Sequence, residues 1–237
     1  MQIDECLASV AFADEILVVD SGSKDETRTI AEGRGARFID KDWMGYGRQR
    51  QFAVDQATHD WVLCVDADER VTPELAASIG RALENPLSPV YRMARRNRFL
   101  GRWLSHGEGY PDWSVRLFNR NSARWSDDPV HEKILFAVTP GKLDGDLLHD
   151  SAEDLSSYLD KQNRYTSLAA QQVFERGQSI GVLHLLFSPL VRFFKFYVLR
   201  LGILDGLPGL IHISIGCINS YIKYAKLIEL RRVKGDK

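Results

Sequence analysis

Glu15-Ile-Leu-Val-Val-Asp20 and, further along, Trp61-Val-Leu-Cys-Val65-Asp66-Ala-Asp68-Glu69 decide the fold. Each is an apolar run of strand length that stops at a carboxylate, the pattern of a buried strand feeding a turn. Working outward from them, helices fall between the strands. Ser23, with Glu26 three residues on, carries a capping-box signature, so a helix is expected from there to Gly33 or Gly35. Ala36 to Asp40 reads as a second strand, Gly45 to Ala57 as a helix, and Thr72-Pro73 opens another helix with Pro at its first position. Ahead of all these, Ile3, Leu7 and Val10 mark one face of a short amphipathic helix. The alternation predicts an α/β, Rossmann-like fold with a mainly parallel sheet and helices on both faces. Ligands of such sheets bind at the carboxyl ends of the strands, where Asp20 and Asp66 both fall, so two acidic turns are expected to open onto one crevice.

From Val90 to Ile134 the pattern changes to short β-like pieces, Tyr91 to Arg95 and Ser114 to Phe118, around a Gly-, His- and Trp-rich loop from Leu100 to Trp113. This half is read as carrying the active site. After Asp150 the chain turns helical, and from Ile180 it is apolar and almost free of acids. The division is therefore an α/β domain over 1–150 and a helical region over 151–237. A length of 237 residues supports one main core with an appendage. A formal net charge of -1 gives no basic footprint for nucleic acid, and none is expected as a partner. Cys6, Cys64 and Cys217 lack the spacing of a disulfide framework or a thiolate zinc site. Met1-Gln2-Ile3-Asp4-Glu5 has neither the basic start nor the apolar run of an export signal, so a cytoplasmic location is expected.

Three Asp-x-Asp pairs occur, where chance alone supplies about two, so the pair by itself says little. Asp40/Asp42 and Asp144/Asp146 lie in loop-like surroundings; only Asp66/Asp68 follows a buried apolar strand. Two carboxylates on such a turn can hold Mg²⁺ or Mn²⁺ and leave positions open for phosphate oxygens. The plainer reading is a solvated acidic turn. In Val18-Val-Asp-Ser-Gly-Ser-Lys-Asp25, Asp20 can accept hydrogen bonds from a base or ribose, and the plainer reading there is helix capping.

Several stretches together resemble glycosyltransferase family 2, with its GT-A fold, and within it the lipopolysaccharide core glycosyltransferases of the WaaE/KdtX type. They are Cys6-Leu-Ala-Ser-Val10, Val18-Val-Asp-Ser-Gly-Ser23, Gly45-Tyr-Gly-Arg-Gln-Arg50, Asp60 to Glu69, Gly109-Tyr-Pro-Asp-Trp113, Arg116-Leu-Phe118, Val130-His-Glu132 and Leu204-Asp-Gly206. The resemblance implies a nucleotide-sugar donor, with Asp20 and Ser21 at the nucleoside, Arg48 and Arg50 near the donor pocket, and Asp66 and Asp68 on the metal-diphosphate. It leaves Arg116 either neutralising diphosphate charge or serving as an ordinary strand residue. An inverting transfer needs a base for the acceptor hydroxyl. Glu132 is ranked first and Asp112 second. His106, Trp113 and His131 are candidates for the acceptor site, or for loop shape and packing.

The implied reaction is hexose transfer, with UDP-glucose the expected donor, to an inner-core sugar of lipopolysaccharide. The alternatives are a family 2 enzyme for another cell-envelope or lipid-linked glycan, and a catalytically silent membrane-associated partner protein. The silent reading arises because relatives begin with a Val/Ile-rich strand and a Thr-x-Asn-Glu-like turn, and this chain starts just after that point. Roughly 15 to 25 further N-terminal residues are expected, at ordinary element lengths, for a strand lying between those that end at Asp20 and Asp66.

The C-terminal region has uncharged runs over 177–191 and 206–222, each short of the ~20 apolar residues of a spanning helix. A spanning segment is therefore not expected. At helical spacing Arg192, Lys195 and Arg200 fall within an arc of roughly 140°, with Phe193, Phe194, Tyr197 and Leu201 mainly opposite. That pattern suits peripheral attachment to the anionic inner face of the cell membrane, and the plainer reading is a packed helical subdomain. Lys223, Lys226, Arg231, Arg232 and Lys234 add charge to the same region.

Overall fold

A computed structural model describes residues 2–127, 132–151, 154–177 and 182–235. The chain forms two units: Met1–Arg95 with Trp113–Asp150, and Arg96–Asp112 with Ser151–Lys237.

In the first unit α1 (Gln2–Ser9) buries Cys6 and Leu7. β1 (Leu17–Asp20) and β2 (Arg37–Asp40) run parallel, with Leu17 opposite Arg37 and Asp20 opposite Asp40, and α2 (Thr27–Gly33) crosses between them. Next come α3 (Tyr46–Gln56), β3 (Trp61–Leu63), β4 (Glu69–Val71) and α4 (Pro73–Glu84). Thr72 Oγ1 accepts the Leu75 amide at 3.3 Å, so the predicted Thr-Pro start is a working N-cap.

The second sheet has the order β3-β7-β5-β10-β4, built with β5 (Val90–Phe99), β7 (Asp112–Asn119) and β10 (Gly141–His149). β8 (Arg124–Trp125) and β9 (Ile134–Leu135) form a small separate ladder. β3 is antiparallel to β7 and β10 to β4. The α/β class stands, and the sheet expected to be mainly parallel is mixed: β1 and β2 pair in parallel, while β3–β7 and β10–β4 are antiparallel. Parallel neighbours need a crossover helix, and in this unit none follows α4 among the described residues.

Helices do cover both faces, as the alternation of the strands shows. Tyr91 and Leu117 point into one core with Leu75 and Ile79 of α4, while their chain neighbours Val90 and Phe118 point into another with Val54 of α3. Full burial of Phe118 contributes roughly 1.5–3 kcal/mol relative to leaving it in water.

Two local expectations fail for identifiable reasons. Ser23 does not cap a helix, because its hydroxyl donates to Asp20; α2 begins at Thr27, and its N-cap, Glu26, makes no side-chain capping bond. β10 has no counterpart in the sequence reading, since Gly141-Lys-Leu-Asp-Gly-Asp-Leu-Leu-His149 mixes glycines and aspartates that are rare in strands. Gly145 is there because β10 presses on α4: a Cβ would lie 2.3 Å from the Leu75 nitrogen, and φ is +88°.

In the second unit the end of β5 pairs with β6 (Arg102–Trp103). The bundle consists of α5 (Leu155–Glu175), α6 (Val182–Phe193), a π-helical turn over Phe194–Leu199, a 3₁₀ turn over Gly202–Asp205, and α7 (Gly206–Gly235). α7 is tied to α5 by Asn219 Nδ2 on Gln162 Oε1 at 2.9 Å and to α6 by Ser188 and Ser220 hydroxyls 2.6 Å apart. By length and composition it is apolar enough to cross a membrane, and a third of its most apolar window is buried in this bundle. The uniform helix assumed for residues 192–201 is interrupted by the π turn and by Leu201 at φ 56°, a left-handed conformation rare for leucine.

Candidate active site

The chain from β3 into β4 makes a closed turn. The Asp66 amide donates to Glu69 Oε2 at 3.0 Å and the Glu69 amide returns to the Asp66 carbonyl at 2.9 Å. Glu69 is wholly buried, a costly place for a carboxylate unless it is paired. The pairing comes from Arg116, itself only 4% exposed, whose Nη2 lies 2.7 Å from Glu69 Oε1 and 2.8 Å from Asp66 Oδ2. Arg95 adds a contact to Glu69 Oε1 at 3.5 Å. Burial alone lowers the Arg116 pKa, but the charges of Glu69 and Asp66 outweigh it and hold the guanidinium charged.

Arg50, on α3, completes the cluster. Its Nη2 lies 2.8 and 2.9 Å from the two oxygens of Asp66, and its Nη1 holds Glu132 Oε1 at 2.6 Å. The guanidinium also stacks over Trp125, 4.8 Å from the ring centroid, which fixes its plane. Gly47, one turn earlier, makes this possible: a Cβ there would fall 2.1 Å from the Ser126 carbonyl oxygen and 3.3 Å from Glu132 Cβ. Burial pushes the Asp66 pKa up, yet Arg116 and then Arg50 pull it below the ordinary aspartate value.

Asp68 faces a different neighbour. Its Oδ2 lies 3.3 Å from His149 Nε2, at the end of β10, and its carbonyl accepts the Asp150 amide at 3.0 Å. Among the described residues no group of three His, Cys, Asp or Glu side chains is disposed to hold a metal ion. Asp66 is turned onto its arginines, which leaves the Asp68 carboxylate and the His149 imidazole as adjacent donors, and a carboxylate of this kind suits Mg²⁺ or Mn²⁺ only where other oxygen ligands complete the shell.

The other acidic turn is self-contained. Asp20 accepts the Gly22 and Ser23 amides at 2.7 Å and the Ser23 hydroxyl at 2.6 Å. Burial raises its pKa, the bonds from Ser23 and Gly22 outweigh that, and the carboxyl sits below its ordinary value. Ser21 is held from α3 by Gln49 Nε2 at 3.0 Å, so one helix touches both acidic turns, through Gln49 and through Arg50. Arg48 is exposed on the same helix.

Of the sequence candidates, Arg50, Asp66, Arg116 and Glu132 form one connected cluster, with Asp68 in the same turn. Trp113 is exposed, with Arg92 and Lys142 over its ring at 5.0 and 5.3 Å. Asp112 and His106 belong to the second unit. Asp112 accepts from Asn97 Nδ2 at 3.5 Å, and the His106 ring lies 3.3 Å from the buried Asp205, which also takes the Ser105 and His106 amides. His131 lies outside the described residues. Glu69, Gln49 and His149 escaped notice as site residues. Glu69 had a signal, being the end of the strand-and-turn stretch, while nothing in the sequence joins His149 to Asp68.

The cluster is a strand-end acidic turn backed by the buried Arg116 and the half-buried Arg50. Residues 2–134 match the model of glycosyl transferase family 2, and the chain belongs to that family, with its GT-A fold. It is 30% identical to the lipopolysaccharide core biosynthesis glycosyltransferase LpsC of Rhizobium meliloti, over 98% of this chain and 89% of that one. It is 27% identical to the uncharacterized glycosyltransferase RP128 of Rickettsia prowazekii, over 92% and 79%. Among solved structures it is similar to S. aureus TarS, at 15% identity and a TM-score of 0.43, over 71% of this chain and 37% of that one.

Proposed function

We propose that the protein is an inverting, metal-dependent hexosyltransferase that uses a nucleoside-diphosphate sugar, UDP-glucose first among them, to extend an inner-core sugar of lipopolysaccharide. The observation that carries this reading is the Asp66–Glu69 turn, gripped by Arg50 and Arg116 with His149 beside Asp68. The acceptor class rests on the likeness to LpsC.

In this reading Asp66, Asp68 and His149 would hold a divalent ion, which when bound would supply charge stabilisation for the leaving nucleoside diphosphate. Arg116 turns its bond from Asp66 to the diphosphate, and Arg50 turns both its Nη2 from Asp66 and its Nη1 from Glu132, which frees Glu132. Glu132 then takes the proton of the acceptor hydroxyl as its oxygen attacks the anomeric carbon; the bond to the diphosphate oxygen breaks and the electron pair leaves with that oxygen. Asp20 and Ser21 receive the nucleoside, Arg48 lies at the donor pocket, and His106, Trp113 and His131 contact the acceptor, with Asp112 the second choice as base.

The rival is a catalytically silent partner protein, and one observation favours it: both oxygens of Asp66 are already taken by arginines. Incubating the purified protein with labelled UDP-glucose, Mn²⁺ and inner-core lipopolysaccharide separates the two. Label moving into lipopolysaccharide supports the enzyme, and none moving under any metal supports the silent partner.

The second unit is proposed to lie on the inner face of the cell membrane. Leu183, Leu186, Leu190, Leu199, Leu204 and Leu207 are each more than half exposed, beside Lys195 and Arg200. Co-sedimentation with anionic vesicles, lost at high salt, is the expected behaviour, and equal binding to zwitterionic vesicles would remove the electrostatic part.

A further inference from the structure

Between α6, the π turn and α7 the second unit carries an open cavity of about 640 Å³, within the range of small-molecule sites. One part of its lining is apolar and aromatic, with Leu183, Phe187, Val191 and Phe196; the rest carries Arg192, Lys195 and Lys223. Among the described residues no acidic side chain lines it. The charge is concentrated. Arg192, Lys195 and Arg200 all sit over the one ring of Phe196, at 5.6, 5.2 and 5.9 Å, and Lys223 over Tyr224 at 4.1 Å. Of the cavity's three cations, Arg192 is answered by Glu108, through Nε at 3.0 Å and through Nη2. Lys195 and Lys223 form no ion pair with the described residues.

Lys195, which shares the Phe196 ring with two arginines, and Lys223, over Tyr224, have no ion-pair partner among the described residues, and such cations favour an anion. Their apolar neighbours favour a hydrocarbon chain on the same molecule. We infer that this cavity is a binding site for a single anionic membrane lipid, its phosphate taken by Lys195 and Lys223 and part of one acyl chain lying along Leu183, Phe187 and Val191. Ammonium–phosphate hydrogen bonds are charge-assisted and stronger than neutral ones. Arg192 lines the cavity but is committed to Glu108, so it is not assigned to the phosphate. The site rests on the membrane-surface reading only in its choice of a lipid as the source of the anion.

The test uses the full chain and short-chain phosphatidic acid below its micelle concentration, with the phosphatidylcholine of the same chain length and inorganic phosphate as controls, read by titration calorimetry. Saturable binding of one phosphatidic acid per chain is expected, at least about tenfold tighter than phosphatidylcholine, a difference of about 1.4 kcal/mol. Lys195→Gln with Lys223→Gln should weaken it by about tenfold or more, and Lys195→Arg with Lys223→Arg should restore it, which a folding defect would not allow. Phe187→Asn should weaken the lipid without changing the response to inorganic phosphate. No saturable binding, or binding indifferent to the two lysines, overturns the site. Vesicle co-sedimentation run in parallel keeps the two readings apart. Protein that sediments with anionic vesicles yet binds no monomeric phosphatidic acid loses the cavity and keeps the surface. Protein that binds the monomer and ignores vesicles loses the surface and keeps the cavity. An acidic peptide that displaces the lipid as well as phosphatidic acid itself would also overturn the assignment to lipid.

Discussion

Arg50 Nη2 lies 2.8 Å from one oxygen of Asp66 and 2.9 Å from the other, so a single nitrogen spans the carboxylate proposed to bind the metal. The same guanidinium reaches Glu132, which makes Arg50 the link between the donor turn and the proposed base. A lysine keeps the charge but not the planar fork, and cannot serve both acids while stacked on Trp125. Arg50→Lys is expected to lower kcat/KM for UDP-glucose by about 10²–10³, the range seen when one preorganised donor is removed. A loss under about threefold would mean that Arg50 is a scaffold residue.

Glu132→Gln keeps the bond to Arg50 and removes the proton acceptor. Turnover with saturating donor should fall by about 10²–10⁴ while donor affinity stays near wild type, and Asp112→Asn should be milder. The reverse order of the two kcat values hands the role to Asp112.

Gly47→Ala places a methyl group against the Ser126 carbonyl, where backbone and not a flexible side chain must yield. We expect a stability loss of about 1–3 kcal/mol by urea denaturation, as for overpacking elsewhere, together with a fall in kcat as Glu132, whose Cβ lies 3.3 Å from the added methyl, is moved out of place. Unchanged stability would show that the Ser126 carbonyl yields to the methyl group without cost.

Much of this was legible in the sequence, for physical reasons that also explain the gaps. Buried strands that lead into carboxylates announce themselves through apolar runs, so Asp20 at the end of β1 and Asp66 in the turn after β3 are legible from the sequence. Partners far apart in the chain were not legible. Arg116 was seen as either a diphosphate contact or a strand residue, and its pairing with a buried Glu69 emerges only when β7 lies beside β3. β10 was hidden by its glycines and aspartates, and with it His149. The wheel drawn through Arg192, Lys195 and Arg200 assumed one regular helix. The π turn breaks that spacing, yet the three cations still meet, on Phe196.

His212 gives the second unit a pH response. It packs edge-on to Phe99 at 5.1 Å and beside Tyr158, its Nδ1 is buried without a partner among the described residues, and burial, then the charge of Arg192, pushes its pKa down to about 4. The unfolded chain, with an ordinary histidine pKa, binds the proton first. Stability therefore falls as pH drops from about 6.5 towards about 4, by up to about 1.4 kcal/mol per pH unit, and this term is absent above that window. Urea midpoints followed by far-UV circular dichroism should show the slope in wild type and a flatter one in His212→Phe. Parallel slopes in the two proteins would place the acid sensitivity elsewhere.

The most direct test of the central claim is Mn²⁺-dependent release of UDP from UDP-glucose in the presence of an inner-core lipopolysaccharide acceptor, compared between wild type, Asp68→Asn and Asp42→Asn. Asp68→Asn deletes a charged side chain at constant shape, beside His149, whereas Asp42 lies two residues past the end of β2 and outside the Asp66–Glu69 turn. The account predicts release by wild type and Asp42→Asn that disappears when Mn²⁺ is chelated, and none from Asp68→Asn. Equal activity in the two variants, or release by wild type that is indifferent to metal, would contradict it.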